Sequence, residues 1–176
     1  MAPDKNKISR FYQYLPTVKK SDLREAILSE LQLELARQTR AAQLARDEAI
    51  SEESQPENKW DTHSQEAAYL AEGQARQVIE VGQSIELYRN LVLPDFAAND
   101  PVASGAVVSL TNRTATTWYF VGPRAGGLEI DFGGRKLLVI TPQSPLGRQL
   151  VGKRVGDEIN SPGTAAHGAQ RIASVE

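Results

Sequence analysis

Residues 21 to 50 contain neither glycine nor proline, and Leu, Ala, Glu, Gln and Arg dominate them. These side chains give up little rotamer freedom in a helix, so the stretch reads as one long helix, with Ser21 standing where an N-cap belongs. Leu28, Leu31, Leu35, Gln38, Ala42, Ala45 and Ala49 follow spacings of three and four. That spacing lines one side of a helix with the seam of a two-helix coiled coil. A second periodic stretch runs from beyond Asp61 to about residue 93, with Ala67, Ala71, Val78, Val81, Ile85, Tyr88 and Val92 as its seam. The first seam narrows from leucine to alanine and the second widens from alanine to large residues. Antiparallel pairing alone sets small against small and large against large. Each arm of 30 or so residues spans about 45 Å at the helical rise, too far to lie buried in a chain of this size. The hairpin is therefore expected to project as a finger, broad at its base and thin at its end. Pro94, Asn99, Asp100 and Pro101 end the second arm and form a linker.

Beyond Pro101 the period changes to two. Residues 102–110, 116–121, 128–132, 136–140, 158–161 and 169–175 read as short strands, with turns at Asn112 and Arg113, Gly126 and Gly127, Gly133 and Gly134, and Pro162 and Gly163. Only the turn from Ser144 to Val151 looks helical: Ser144 caps it, Pro145 is its first residue and Gly152 sits where a left-handed C-terminal cap belongs. The expected fold class is α+β. An N-terminal antiparallel helical hairpin precedes a small antiparallel sheet with one short helix. The expected divisions are an extension over 1–20, the hairpin over 21–99 and the sheet domain over 100–176.

Composition removes several classes of function. The chain has no cysteine, which excludes disulfides, thiolate metal sites and cysteine nucleophiles. Its N-terminal residues lack the continuous apolar core of a signal peptide, and no apolar run approaches the ~18 residues of a membrane span. A cytoplasmic protein is expected. Residues 1 to 99 hold 12 Lys and Arg against 16 Asp and Glu, whereas residues 100 to 176 hold 8 against 6. This bipolar charge suits a partner met by two different surfaces. His63 and His167 are isolated and spell no metal site, and the Gly-Gly pairs precede no helix and lack phosphate-loop spacing.

Between the arms, residues 47 to 66 carry seven acids and one lysine. Pro56 breaks the helix there, so Glu52, Glu53, Glu57 and Asp61 gather near the point of the finger. Two stretches of the chain are distinctive. The first is Ser144, Pro145, Leu146 and Gly147 followed by Gly152 with Lys153 and Gly156 with Asp157; the second is Glu57, Asn58, Lys59, Trp60, Asp61 and Thr62. In order and spacing they resemble the signatures of bacterial Gre transcript cleavage factors, over most of residues 21 to 176. The resemblance implies an FKBP-like C-terminal domain. It also implies RNA polymerase as partner, with the globular domain docked at the rim of the secondary channel through Ser144, Pro145, Leu146 and Gly147. The finger would then enter the channel until its tip reaches the catalytic centre and, indirectly, the transcript RNA.

On this reading the protein is a monomer and no enzyme in its own right. Glu57, Glu53 and Asp61 become the carboxylates that assist the polymerase's hydrolysis and hold a magnesium ion shared with its active site, since hard cations take oxygen ligands. Trp60 either contacts nucleic acid or the channel wall, or packs across the turn. Cleavage-competent tips usually place an aspartate three residues before the glutamate, and here that position is Ser54. Two outcomes stay open: stimulated cleavage of backtracked transcripts, or binding that inhibits the polymerase without cleavage. An adaptor whose hairpin joins other helices, and a free-standing hydrolase, are the competing classes. A hydrolase lacks a pocket to exclude water around exposed carboxylates. Peptidyl-prolyl isomerase activity does not follow from the fold, which fixes no function. The aromatic residues Phe11, Tyr12 and Tyr14 of the extension either pack on the base of the finger or meet the polymerase.

Overall fold

The computed structural model describes residues 19–51, 63–97, 99–112, 115–159 and 170–176. Two long helices come first, α1 (Lys20–Ala49) and α2 (His63–Arg89). The cap of α1 is Lys19, which makes no side-chain capping bond. Ser21, expected as the cap, is the second residue of the first turn and donates instead to Asp22 Oδ1 at 2.9 Å. Tertiary contacts set this helix start. Leu23 is buried, and the Lys20 ammonium donates to the carbonyl of Pro94 and lies 4.6 Å from the Phe96 ring centroid. Burial lowers the Lys20 pKa, opposed by the nearby charges of Asp95 and Glu176.

Leu23, Ile27 and Leu31 from the start of α1 share one core with Ile85 and Tyr88 from the end of α2, so the helices run antiparallel. Ala45 and Ala67 are buried as well, although they belong to neither apolar core, which shows the narrow alanine seam continuing up the arms. Val92 does not continue the second seam and is 82% exposed. The helix has stopped at Arg89, and in the extended chain that follows Leu91 and Leu93 turn toward the core while Val92 points out.

The strands are β1 (Val107–Thr111), β2 (Thr116–Val121), β3 (Glu129–Phe132), β4 (Arg135–Ile140), β5 (Glu158–Ile159) and β6 (Gln170–Val175), with α3 (Pro145–Leu150) between β4 and β5. They form one sheet in the order β3-β4-β2-β1-β6-β5. Its pairs are antiparallel except β2 with β4, which are parallel. The sheet is therefore mixed. The connection 122–128 passes over the place of β4, and the tight β3–β4 hairpin then delivers β4 beside β2 in the same direction. Gly127, Gly133 and Gly134 take positive φ at the two expected glycine turns. The first strand is shorter than expected. Gly105 at φ 88 turns the chain, so Val102 bonds instead to the segment after α3, through Val102 N to Lys153 O at 2.7 Å and Gly152 N to Val102 O at 2.8 Å.

Alternation along the strands gives the sheet two apolar faces. Val107, Phe120, Ile130, Leu137 and Val139 pack against the base of the hairpin. Val108, Leu110, Val121, Ile140 and Ile172 pack on the other side with Leu150 of α3. Finger and sheet are thus joined through a shared core.

Candidate functional site

The Ser144 signature is first a piece of local construction. Ser144 Oγ accepts from Gly147 N at 3.0 Å and donates to Thr141 O at 2.8 Å, and Pro145 occupies the first helical position, where no N–H is needed. Gly147 is required by space: a Cβ there would lie 1.9 Å from the Thr141 carbonyl oxygen. Leu146 packs on the second core, and Gly152 closes the turn at φ 84 as the sequence predicts. Of the four signature residues, only Pro145 is exposed.

The surface beside them carries what sequence reasoning passed over. Arg148, Lys153 and Arg154 are exposed, with Val151 and Val155 still 43% and 42% accessible. Arg154 is held in place: its N–H donates to Asp157 Oδ2 at 2.9 Å and its guanidinium to Asn99 O. Gly156 N donates to Ile172 O at 2.8 Å, so the second half of the signature is stitched to β6. Three cations beside two exposed valines make a surface suited to an acidic partner with an apolar centre. The signal lay in the Lys153 and Arg154 pair.

Glu52, Glu53, Ser54, Glu57, Asn58, Trp60 and Asp61 fall outside the described residues. The carboxylate, metal and tryptophan expectations at the tip therefore rest on sequence. Asp47 and Glu48 lead into the tip from the last turn of α1, both exposed. Among the described residues no group of three or more His, Asp or Glu side chains is placed to hold a metal ion. No described helix is long and apolar enough to cross a membrane.

Between the arms and the 122–128 connection lies an open cleft of about 790 Å³, lined among others by Glu30, Glu34, Arg37, Glu80, Arg124 and Glu129. Three of these charges, Glu34, Arg37 and Arg124, are engaged in hydrogen bonds. Glu34 accepts from Gln38 Nε2 at 2.6 Å and from Arg37 Nη2 at 2.7 Å, and these bonds hold its carboxyl below the ordinary value. Arg124 donates to Gln83 Oε1 at 2.7 Å. The cleft does not resemble a hydrolytic centre.

Residues 97–176 match the C-terminal region of the GreA/GreB transcription elongation factors. The GreA transcription elongation factors of two Streptococcus thermophilus strains, CNRZ 1066 and LMD-9, are each 31% identical over 122 residues, which is 68% of this chain and 69% of theirs. Among solved structures, GreA factor homologue 1 (Gfh1) of Thermus thermophilus aligns at 18% identity and a TM-score of 0.37, covering 85% of this chain and 94% of its own. Gfh1 of Thermus aquaticus aligns at 18% identity and a TM-score of 0.34, covering 86% and 95%. With curated relatives matched across two thirds of their length, and the family's C-terminal region matched from the linker to the last residue, the chain belongs to the GreA/GreB family of transcription elongation factors.

Proposed function

We infer that this elongation factor binds RNA polymerase at the secondary channel, with the sheet domain at the rim and the finger inside. The observation that carries the reading is the union of one rigid base with one long arm. The hairpin is fused to the sheet through a shared core, and α1, about 45 Å long in all, continues some 27 Å past its last core residue, Leu31, and leads in sequence into a segment of seven acids and one lysine. The exposed Pro145, Arg148, Lys153 and Arg154 supply a docking surface beside the family signature. The factor works in the cytoplasm as a monomer, where the polymerase and its transcript are.

Hydrolysis of the transcript then belongs to the polymerase. Glu57, Glu53 and Asp61 are oxygen donors of the kind a hard cation takes, and they would hold a magnesium ion shared with the polymerase centre. Such an ion stabilises the attacking and leaving oxygens in phosphoryl transfer. The chain's own part is to carry these carboxylates to the centre and to orient a water between them.

Cleavage of backtracked transcripts is the leading activity. Ser54, standing where cleavage-competent tips carry aspartate, favours a second reading in which the finger occupies the channel and slows synthesis. A cleavage assay on stalled elongation complexes separates them. Accelerated cleavage that Glu57→Ala abolishes supports the first reading, and slowed extension without cleavage supports the second. Absence of any binding to the polymerase overturns both.

A further inference from the structure

Within the shared core at the base of the finger, one joint ties α2 to the connection 122–128. Tyr88, in the last turn of α2, is fully buried in the core shared by hairpin and sheet, its ring tilted against Phe120 at 6.4 Å between centroids. Its hydroxyl leaves the hairpin and donates to the carbonyl of Arg124 at 2.8 Å, in the connection 122–128. The Arg124 guanidinium returns to α2 and donates to Gln83 Oε1. One helix is therefore held at two points through a single residue of the connection.

That connection is itself anchored to the sheet. Gly122 N donates to Ile140 O at 2.8 Å, and Gly127 N donates to Val139 O at 2.9 Å. Ala125 between them takes φ 59, an uncommon conformation for a residue with a side chain. Gly122 meets its role by lacking a side chain, since a Cβ there would stand 2.1 Å from the Tyr88 hydroxyl and 3.1 Å from Val139 Cγ1. The phenol thus sits in a slot that only glycine leaves open.

Two attachment points give more than one. Residues 83 and 88 are separated by about 7.5 Å along the helix axis and by roughly 140° around it, so the pair resists both tilt and roll. The lever is long: about 5° of slack at the base moves the start of α2, about 38 Å away, by roughly 3 Å. A displacement of about 1 Å already weakens chemistry that depends on placement. We propose that Tyr88, seated on Gly122 and bound to Arg124, is a positioning residue that fixes the direction of the finger relative to the sheet. Its consequence for the polymerase rests on the proposed function; its geometry does not.

The absence of cysteine permits a direct test on the full chain. Nitroxide labels at Ala75→Cys on α2 and Lys136→Cys on β4, both exposed, report the finger-to-sheet distance by pulsed electron paramagnetic resonance. The parent protein is expected to give one narrow distribution. Tyr88→Phe keeps the ring and loses the bond, and Gly122→Ala pushes the hydroxyl out of its slot. Each should broaden or move the distance by about 2 Å, given the roughly 20 Å of helix between the label and the joint. Where Tyr88→Phe does not fold, Gln83→Ala at the exposed end of the latch gives the same reading. Unchanged distributions in folded variants overturn the proposal. With polymerase, the half-saturating concentration should hold while the maximal effect falls roughly tenfold, a split that loss of folded protein would not produce. If the distances broaden but the parent itself has no effect on polymerase, the functional reading fails and the joint stands.

Discussion

The base of the hairpin and its outer arms are built from the same two helices and are held in different ways. At the base Leu23, Ile27, Leu31, Ile85 and Tyr88 are all at most 4% exposed and share their core with the sheet. Farther out, Ala45 and Ala67 are buried, while Leu33, Leu44, Tyr69, Leu70 and Ile79 are all at least 52% exposed. Burying a large apolar side chain contributes about 1.5–3 kcal/mol, and a methyl group a fraction of that. Stability is therefore concentrated where the finger meets the sheet. By sequence, the acidic segment that joins the arms brings like charges together.

The sharpest break of this comparison is a pair of truncations on α1. Ile27→Ala empties a fully buried site and should cost about 2–5 kcal/mol in urea unfolding followed by helical circular dichroism. Leu44→Ala, at a site 63% exposed, should stay within about 0.5 kcal/mol. Equal losses at the two sites would mean that the arms carry stability as the base does.

A smaller effect tests the base alone. Burial pushes the Tyr88 phenol above its ordinary value of 10.0. Below pH 10 the group is protonated in both folded and unfolded chains and its contribution is fully present. Above pH 10 the unfolded chain releases the proton first, the folded chain keeps it, and stability falls as pH rises. One such proton gives a slope of up to about 1.4 kcal/mol per pH unit. Tyr88→Phe should lose that slope. The same slope in both proteins would show that the hydroxyl is not sequestered at the joint.

What was legible in the sequence was whatever is decided locally. The glycine-free helix, the alanine seam, the glycine turns and the Ser144 cap each depend on residues within one or two turns, and all stand as expected. Ser21 failed as a cap because Lys20 and Leu23 are fixed by Pro94, Phe96 and the core, contacts made from 70 or so residues away. Val92 failed because the helical period was carried past the end of the helix. The parallel β2–β4 pair follows from the path of the connection, which alternation along single strands does not encode. Tyr88 was legible as a seam position, but its hydroxyl bond to Arg124, 36 residues on, was not. At the site, the Ser144 signature was readable as a capped turn; the basic surface beside it emerged only when Arg148, Lys153 and Arg154 were seen to be exposed together.

The smallest effect belongs to the arms. Arg76 Nη2 lies 2.6 Å from Glu72 Oε1, four residues apart, with side chains 71% and 58% exposed. The glutamate precedes the arginine, the favourable order on a helix, yet both charges stay in water, where such a pair contributes about 0.3–0.5 kcal/mol. Arg76→Ala should lower stability by no more than that, and added salt should shrink the difference further, because exposed charges are screened. A loss approaching that of Ile27→Ala would require the charged face to hold the arms together, and the contrast with the base would collapse. A loss within the expected range leaves the outer finger dependent on its alanine seam and on the base, free to vary in surface charge as a partner demands.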